Sequence, residues 1–179
     1  DGTLLEQFLE SGSNRVYKTI DEIPKYLGDA FVAIEDERFY KHNGIDLQGI
    51  LRAGIVGITS GNFSEGASTL TQQLIKNNVF PNFLDEKTFY DRLERKLQEQ
   101  VLAMEIEKQM TKEEILEAYM NTINLGQSCL GVQSAAKRYF GKDVSELTLS
   151  ECTVIAGITQ NPTGYDPVVY PEANAERRD

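Results

Sequence analysis

Long apolar runs are missing from this chain. No stretch approaches the roughly 18 residues that mark a spanning helix; the longest, such as 53–58, are short and contain Gly. Cysteine is scarce. Cys129 and Cys152 are too few for a disulfide framework, and no CxxC pair or Cys/His cluster suggests structural zinc. Both read as small buried hydrophobes. Basic residues are outnumbered, 18 Lys and Arg against 28 Asp and Glu, for a formal net charge of -10. That excludes a general nucleic-acid binder, which carries a basic face. It leaves room for an anionic ligand in a local cationic pocket. A signal peptide and an initiating Met are also lacking. The chain opens Asp1-Gly2-Thr3 and ends Arg177-Arg178-Asp179 at what reads as an arbitrary cut, so a longer parent protein is expected.

Only five prolines occur, and none lies between Pro24 and Pro81 or between Pro81 and Pro162. Both windows are therefore free to be helical. No segment alternates with period two between hairpin turns, so strands are not expected. With 40% hydrophobic residues in 179, one helical domain spanning 1–179 is the expectation. Leu47, Ile50, Leu51, Ile55 and Ile58 share a helix face behind Asp46, a good N-cap. The segment 86–109 reads as one long helix. Its stripe Leu93, Leu97, Val101 and Met104 lies nearly opposite Leu102 and Ile106, which predicts central burial. Thr111 and Glu114 form a capping box ahead of Ile115, Leu116 and Tyr119. A further apolar helix covers 150–157, and the Pro-rich end from Asn161 reads as irregular.

Three clusters could carry chemistry. In the first, a helix with Phe31, Val32 and Ile34 runs into Glu35-Asp36-Glu37, with Gly44 as its expected C-cap. Acids at a helix C-terminus oppose the helix dipole, so this is either a solvated helix end or a functional site. His42, the only histidine, falls here. In the second, Ser68 or Thr69 caps a helix on which Thr69, Gln72, Gln73 and Lys76 share one face, away from Leu74 and Ile75. That face is either an ordinary solvent face or a sugar-phosphate site, because amides read hydroxyls and Lys binds phosphate as a point charge. In the third, Glu99 lies about 20° from Ile106 on the helical wheel, with Arg95 and Arg92 on the same line. It is a partly buried carboxylate flanked by guanidinium groups, either an i,i+4 ion pair or part of an anion site. Acids on two helices beside a Gln/Lys face suggest carbohydrate chemistry, and the cations favour a phosphate leaving group over hydrolysis.

In order, these clusters resemble the motif set of the peptidoglycan glycosyltransferases (glycosyltransferase family 51). That family comprises the transglycosylase domains of class A penicillin-binding proteins and the monofunctional transglycosylases. Glu35-Asp36 through Phe39, His42 and Gly44 resembles the first motif; Gly66, Ser68, Thr69, Gln72, Gln73, Lys76 and Asn77 the second; Arg95, Lys96 and Glu99 the third. Lys112, Ile115, Leu116, Tyr119 and Asn121 resemble the fourth, and Gly131, Ala135, Ala136, Tyr139, Phe140, Gly141 and Lys142 the fifth. The tail with Gly157, Pro162, Tyr165, Pro167, Pro171 and Arg177 is also similar. The likeness covers nearly the whole chain.

The resemblance implies an all-α, lysozyme-like fold with a larger head lobe and a small membrane-associated jaw. It implies polymerisation of lipid II, a disaccharide-pentapeptide on undecaprenyl pyrophosphate, onto a growing glycan strand with inversion. Glu35 would be the general base. Lys76, Arg95 and Lys96 would neutralise pyrophosphate, and Glu99 would order those cations and position the donor. Ser68, Thr69, Gln72, Gln73, Asn77 and Tyr119 would line the substrate sites. The phosphoglycolipid moenomycin would inhibit. The outer face of the bacterial cytoplasmic membrane is the implied location, with an anchoring helix before Asp1 and room for a transpeptidase domain. No nucleic-acid partner is implied. No cofactor is required, and a divalent cation (Mg or Mn) is used variably in the family without a legible ligand set here.

Departures from the family pattern are Ala67, where Gly is common, Gln160, where many members carry Lys, and Thr163, where many carry Ser. Gln160 and Thr163 are still carried over as substrate-binding. The stretch 78–91 is longer than in some members, so Arg92 stands in for an Arg that is hard to align. Phe80, Phe83, Leu84, Phe89 and Tyr90 are either lipid-touching jaw residues or a loop packed on the core. A muramidase on the same fold is the alternative enzyme, and a non-catalytic cell-wall module the third reading. The Gln72-Gln73-x-x-Lys76 face discriminates against a hydrolase, and the two acids against a mere binding module.

Overall fold

A computed structural model describes residues 15–60, 67–80 and 88–178, with 57, 58 and 60 as backbone only. Eight α-helices follow one another among these residues: α1 Lys25–Glu35, α2 Leu47–Ser60, α3 Leu70–Val79, α4 Phe89–Ile106, α5 Lys112–Thr122, α6 Val132–Phe140, α7 Leu149–Gly157 and α8 Pro171–Arg178. Short 3-10 turns cover Ile20–Glu22, Phe39–Lys41 and Val144–Glu146. The described residues contain no strand, only an antiparallel bridge between Asn124 and Leu130.

Thr111 with Glu114 forms the expected capping box at α5, and two further boxes not anticipated from the sequence, Thr88 with Asp91 and Thr148 with Glu151, start α4 and α7. Each such cap contributes about 1 kcal/mol. Asp46 accepts from the Gln48 amide at 3.1 Å and heads α2. Thr69, not Ser68, caps α3 by accepting from the Gln72 amide. α6 stops at Gly141, which takes the left-handed conformation at φ 69°.

The core lies where α1 packs on α7, α3 on α4 and α5, and α8 on α7. Leu27, Phe31, Leu70, Ile115, Tyr119 and Ile155 are wholly buried there. Phe31 and Tyr119 meet edge to face with centroids 5.6 Å apart. Cys129 and Cys152 are both free and buried, and burial pushes the Cys152 thiol up to about 12.

Three expectations need correction. α1 ends at Glu35, and Gly44 does not cap it; Gly44 lies beyond the Phe39–Lys41 turn, at φ 86° against the Ala103 backbone. The stripe on α4 is not buried: Leu93, Leu97, Val101 and Met104 keep 40–56% of their surface exposed. The polar side of α4, with Glu99 and Ala103, turns inward instead because Glu99 is held by cations there. The C-terminal stretch is not wholly irregular, since Pro171 starts α8 at a position that tolerates a missing N–H. The predicted face of α2 is likewise outward: Leu47, Leu51 and Ile55 are exposed, while the Ile58 side chain lies outside the described residues. Gly66, Phe83 and Leu84 also lie outside them.

Candidate active site

The end of α1 places two adjacent carboxylates in opposite directions. Asp36 turns inward, accepts from the Leu70 amide at 3.0 Å and pairs with His42 Nε2 at 2.9 Å. Leu70 is the first residue of α3. Asp36 therefore faces a helix N-terminus, where negative charge is favoured, which resolves the conflict of acids at the α1 C-terminus. His42 is buried as the partner of Asp36 and stands away from the cavities.

Glu35 turns outward into the cleft, still largely covered. Its Oε2 accepts from Gln73 Nε2 at 2.8 Å. Its Oε1 accepts from Arg177 at 2.6 Å and from the Thr159 hydroxyl. Behind Gln73, the buried Tyr119 hydroxyl donates to Gln73 Oε1 at 3.3 Å. That bond points the amide nitrogen at Glu35. Burial, then the nearby Glu35 charge, holds the Tyr119 phenol well above its usual range, so it remains a donor.

The polar face of α3 divides. Gln73 and Lys76 face the cleft, whereas Thr69 and Gln72 are buried and both donate to the Gly44 carbonyl, at 2.8 and 3.1 Å. Gln72 and Tyr119 thus sit behind the cleft and line neither of the two cavities that meet at Glu35, while Thr69, buried and bonded to the Gly44 carbonyl, reaches the wall of one. On α4, Glu99 has no exposed surface. Arg95 bonds its Oε1, and Lys96 bonds its Oε2 at 2.9 Å while reaching Ser68 Oγ at 2.6 Å. Lys76 also faces this side of the cleft. Its pKa is lowered, first by burial and then by Lys96 and Arg95, with Glu99 and Glu35 opposing.

Two cavities meet at Glu35 and Ser68. One, of about 150 Å³, also carries Arg38, Asp46, Arg52 and Thr69 on its wall. The other, of about 260 Å³, is walled by Gln73, Lys76, Gln160 and Arg177. Gln160 holds φ 68° at its rim. Arg92 and Thr163 are exposed and Asn77 half-buried, all outside these walls. Among the described residues no three His, Cys, Asp or Glu side chains converge on a metal site. Glu35 and Glu99 are each engaged by cations, so these two described carboxylates do not form a divalent-ion site together.

Sequence reasoning missed Thr159 and the role of Arg177. Each lies more than 120 positions from Glu35, so no local spacing signals the contact. The fourth and fifth motifs serve as scaffold: Ala135 and Ala136 of the fifth are buried and its Tyr139 hydroxyl donates to the Leu125 carbonyl. Lys112 pairs with Glu107 at 2.6 Å and sits over the Phe39 ring, and Asn121 bonds the Lys18 backbone.

A family model described as Transglycosylase matches residues 1–179. Penicillin-binding protein 1A of Clostridium perfringens strain 13 is 46% identical over 179 residues, which cover 98% of this chain and 25% of that protein. Penicillin-binding protein 1A of Escherichia coli K12 is 46% identical over 178 residues, 99% of this chain and 20% of that one. Penicillin-binding protein 1F of Bacillus subtilis 168 is 42% identical over 166 residues, 93% and 22% respectively. The chain thus spans a fifth to a quarter of the length of these curated relatives. A carboxylate set beside a braced group of cations, on an all-helical frame matched from end to end by these comparisons, leads to one conclusion: the chain belongs to the transglycosylase family.

Proposed function

We propose that this chain polymerises lipid II into peptidoglycan glycan strands by inverting glycosyl transfer. The observation that carries the reading is the Glu35 carboxylate between two cavities, one of which has Lys76 on its wall beside the Glu99-braced Arg95 and Lys96. The acceptor 4-hydroxyl gives its proton to Glu35 as its oxygen attacks the anomeric carbon. The bond to pyrophosphate breaks on the opposite face, and its electron pair leaves with the pyrophosphate oxygen. Lys76 meets the charge that develops there. A muramidase needs no such cations, so the same wall disfavours that alternative.

The parent protein, in this reading, carries a membrane anchor and a transpeptidase domain and works at the outer face of the bacterial cytoplasmic membrane. Among the described residues no helix is long and apolar enough to cross a membrane. The exposed apolar sides of α2 and α4, together with Phe89 and Tyr90, form the lipid-facing jaw. Sedimentation with phospholipid vesicles tests this. Leu51→Glu with Leu97→Glu should release the protein from the vesicles, and undiminished binding rejects the assignment.

The decisive assay incubates the protein with lipid II and asks whether polymer, cleaved glycan or nothing appears. Glu35→Gln keeps the shape but cannot accept the proton. Polymerisation should fall about 10²–10⁴-fold with the melting curve retained. Activity within a few-fold of wild type removes Glu35 from the role.

A further inference from the structure

Arg177 contacts the proposed base and also walls the cavity proposed for pyrophosphate. Its Nη2 lies 2.6 Å from Glu35 Oε1, and its Nε is buried with no hydrogen-bond partner. The guanidinium therefore has a donor to spare beside the cleft. Only one other wall residue of that cavity is a cation, Lys76, because the rim position Gln160 is neutral. A pyrophosphate entering there meets one ammonium and one guanidinium already committed to a carboxylate. Carboxylate and phosphate are matched equally well by the guanidinium fork.

We propose that Arg177 is shared. It holds the Glu35 carboxylate until donor pyrophosphate enters the cavity, then passes to the phosphate and leaves Glu35 able to take the acceptor's proton. Donor binding thereby arms the base. The exchange also runs with the reaction. Glu35 becomes neutral as it gains the proton, so its hold on Arg177 falls, while the leaving pyrophosphate gains the electron pair and its hold rises. The backbone need not move. α8 is fixed separately by buried Asn174, whose Nδ2 bonds the Val154 and Tyr165 carbonyls at 3.1 and 3.0 Å. The Tyr165 ring, 5.3 Å from the guanidinium, gives the swinging group an apolar support.

This inference rests on the proposed function, but its test does not require polymerisation. Calorimetric binding of inorganic pyrophosphate is measured for wild type, Glu35→Gln, Arg177→Gln and the double variant, each with a melting curve. Arg177→Gln should weaken binding about tenfold, and Glu35→Gln, which frees Arg177, should tighten it several-fold. In the Arg177→Gln background the Glu35→Gln gain should shrink to within about twofold. A gain that persists undiminished reflects only removal of a negative charge and overturns the sharing. So does wild-type pyrophosphate affinity in Arg177→Gln, or no pyrophosphate binding by the wild type. If Arg177→Gln does not fold, Arg177→Lys replaces it: retained charge without the fork should recover part of the affinity, and full wild-type behaviour in every arm counts against the proposal. With lipid II, Arg177→Gln should raise the donor KM as well as lower kcat, whereas a structural defect lowers kcat and the melting point alone. Failure of wild type to polymerise lipid II refutes the proposed function and leaves the pyrophosphate cycle readable.

Discussion

Both oxygens of Glu99 are occupied by Arg95 and Lys96, and none of its surface reaches solvent. It is therefore a brace for cations and has no lone pair aimed at a substrate. Glu99→Gln should weaken donor binding together with turnover, and should lower stability by about 1–3 kcal/mol as two charge-assisted bonds are lost. Titration with a phosphoglycolipid and a urea melt read the two effects; unchanged inhibitor affinity contradicts the bracing role. Lys76 offers a pH-dependent test. Burial lowers its pKa, so the folded protein releases this proton at a lower pH than the unfolded chain, near 10.4. The charged form carries a stability cost at neutral pH, which is relieved as pH rises through the folded value. Anion affinity runs the other way. Phosphoglycolipid binding should fall on the alkaline side before an ordinary Lys would titrate, and Lys76→Arg should remove that fall. A pH-independent wild-type affinity across this range rejects Lys76 as the contact.

On α3 a single turn decides between scaffold and site. Thr69 and Gln72 donate to the Gly44 carbonyl, while Gln73 and Lys76, one step around the helix, face the cleft. A helical wheel placed all four on one polar face, because angle alone does not say which polar groups find buried partners. Tyr119 on α5 belongs to the same mechanism. Its hydroxyl orients Gln73, and Gln73 orients Glu35. Tyr119→Phe should cost about 1 kcal/mol and reduce kcat with little change in KM, since it removes alignment and not a substrate contact. A wild-type kcat in a folded Tyr119→Phe variant refutes the relay. α4 shows the reverse of the expected burial for a related reason. Its charged side is satisfied by internal partners, so the apolar stripe is left outward.

Across the molecule, the loop around Gly44 ties three helices together. Its carbonyl takes bonds from α3, its backbone lies against Ala103 on α4, and α2 begins just beyond it. A Cβ at Gly44 would stand 2.7 Å from the Ala103 carbonyl group, at a φ of 86° that L side chains avoid. Gly44→Ala should therefore destabilise the fold by more than the roughly 1 kcal/mol of backbone strain alone and lower the melting point measurably. Gly141→Ala, with the same sign of φ but open space around the Cβ, is the control that should cost less. Equal losses in the two variants refute the packing argument.

α8 and the caps of α4 and α7 were not legible in the residues, whereas several helices, the cap of α5, the burial of both cysteines and the gathering of charge at Glu35, Lys76 and Glu99 were. Each follows from interactions a few positions apart or from an ordered set of motifs. Thr111 finds Glu114 and Arg95 finds Glu99 within one helical turn. What the linear chain could not show is how those faces are used. The pairing of Glu35 with Thr159 and Arg177, the inward turn of Asp36 onto α3, the withdrawal of Gln72 and Tyr119 behind the cleft and the exposure of the α4 stripe all depend on which helix lies against which. Local periodicity specifies a face, but the partner of that face is set by contacts distant in sequence, and those exist only once the chain has packed.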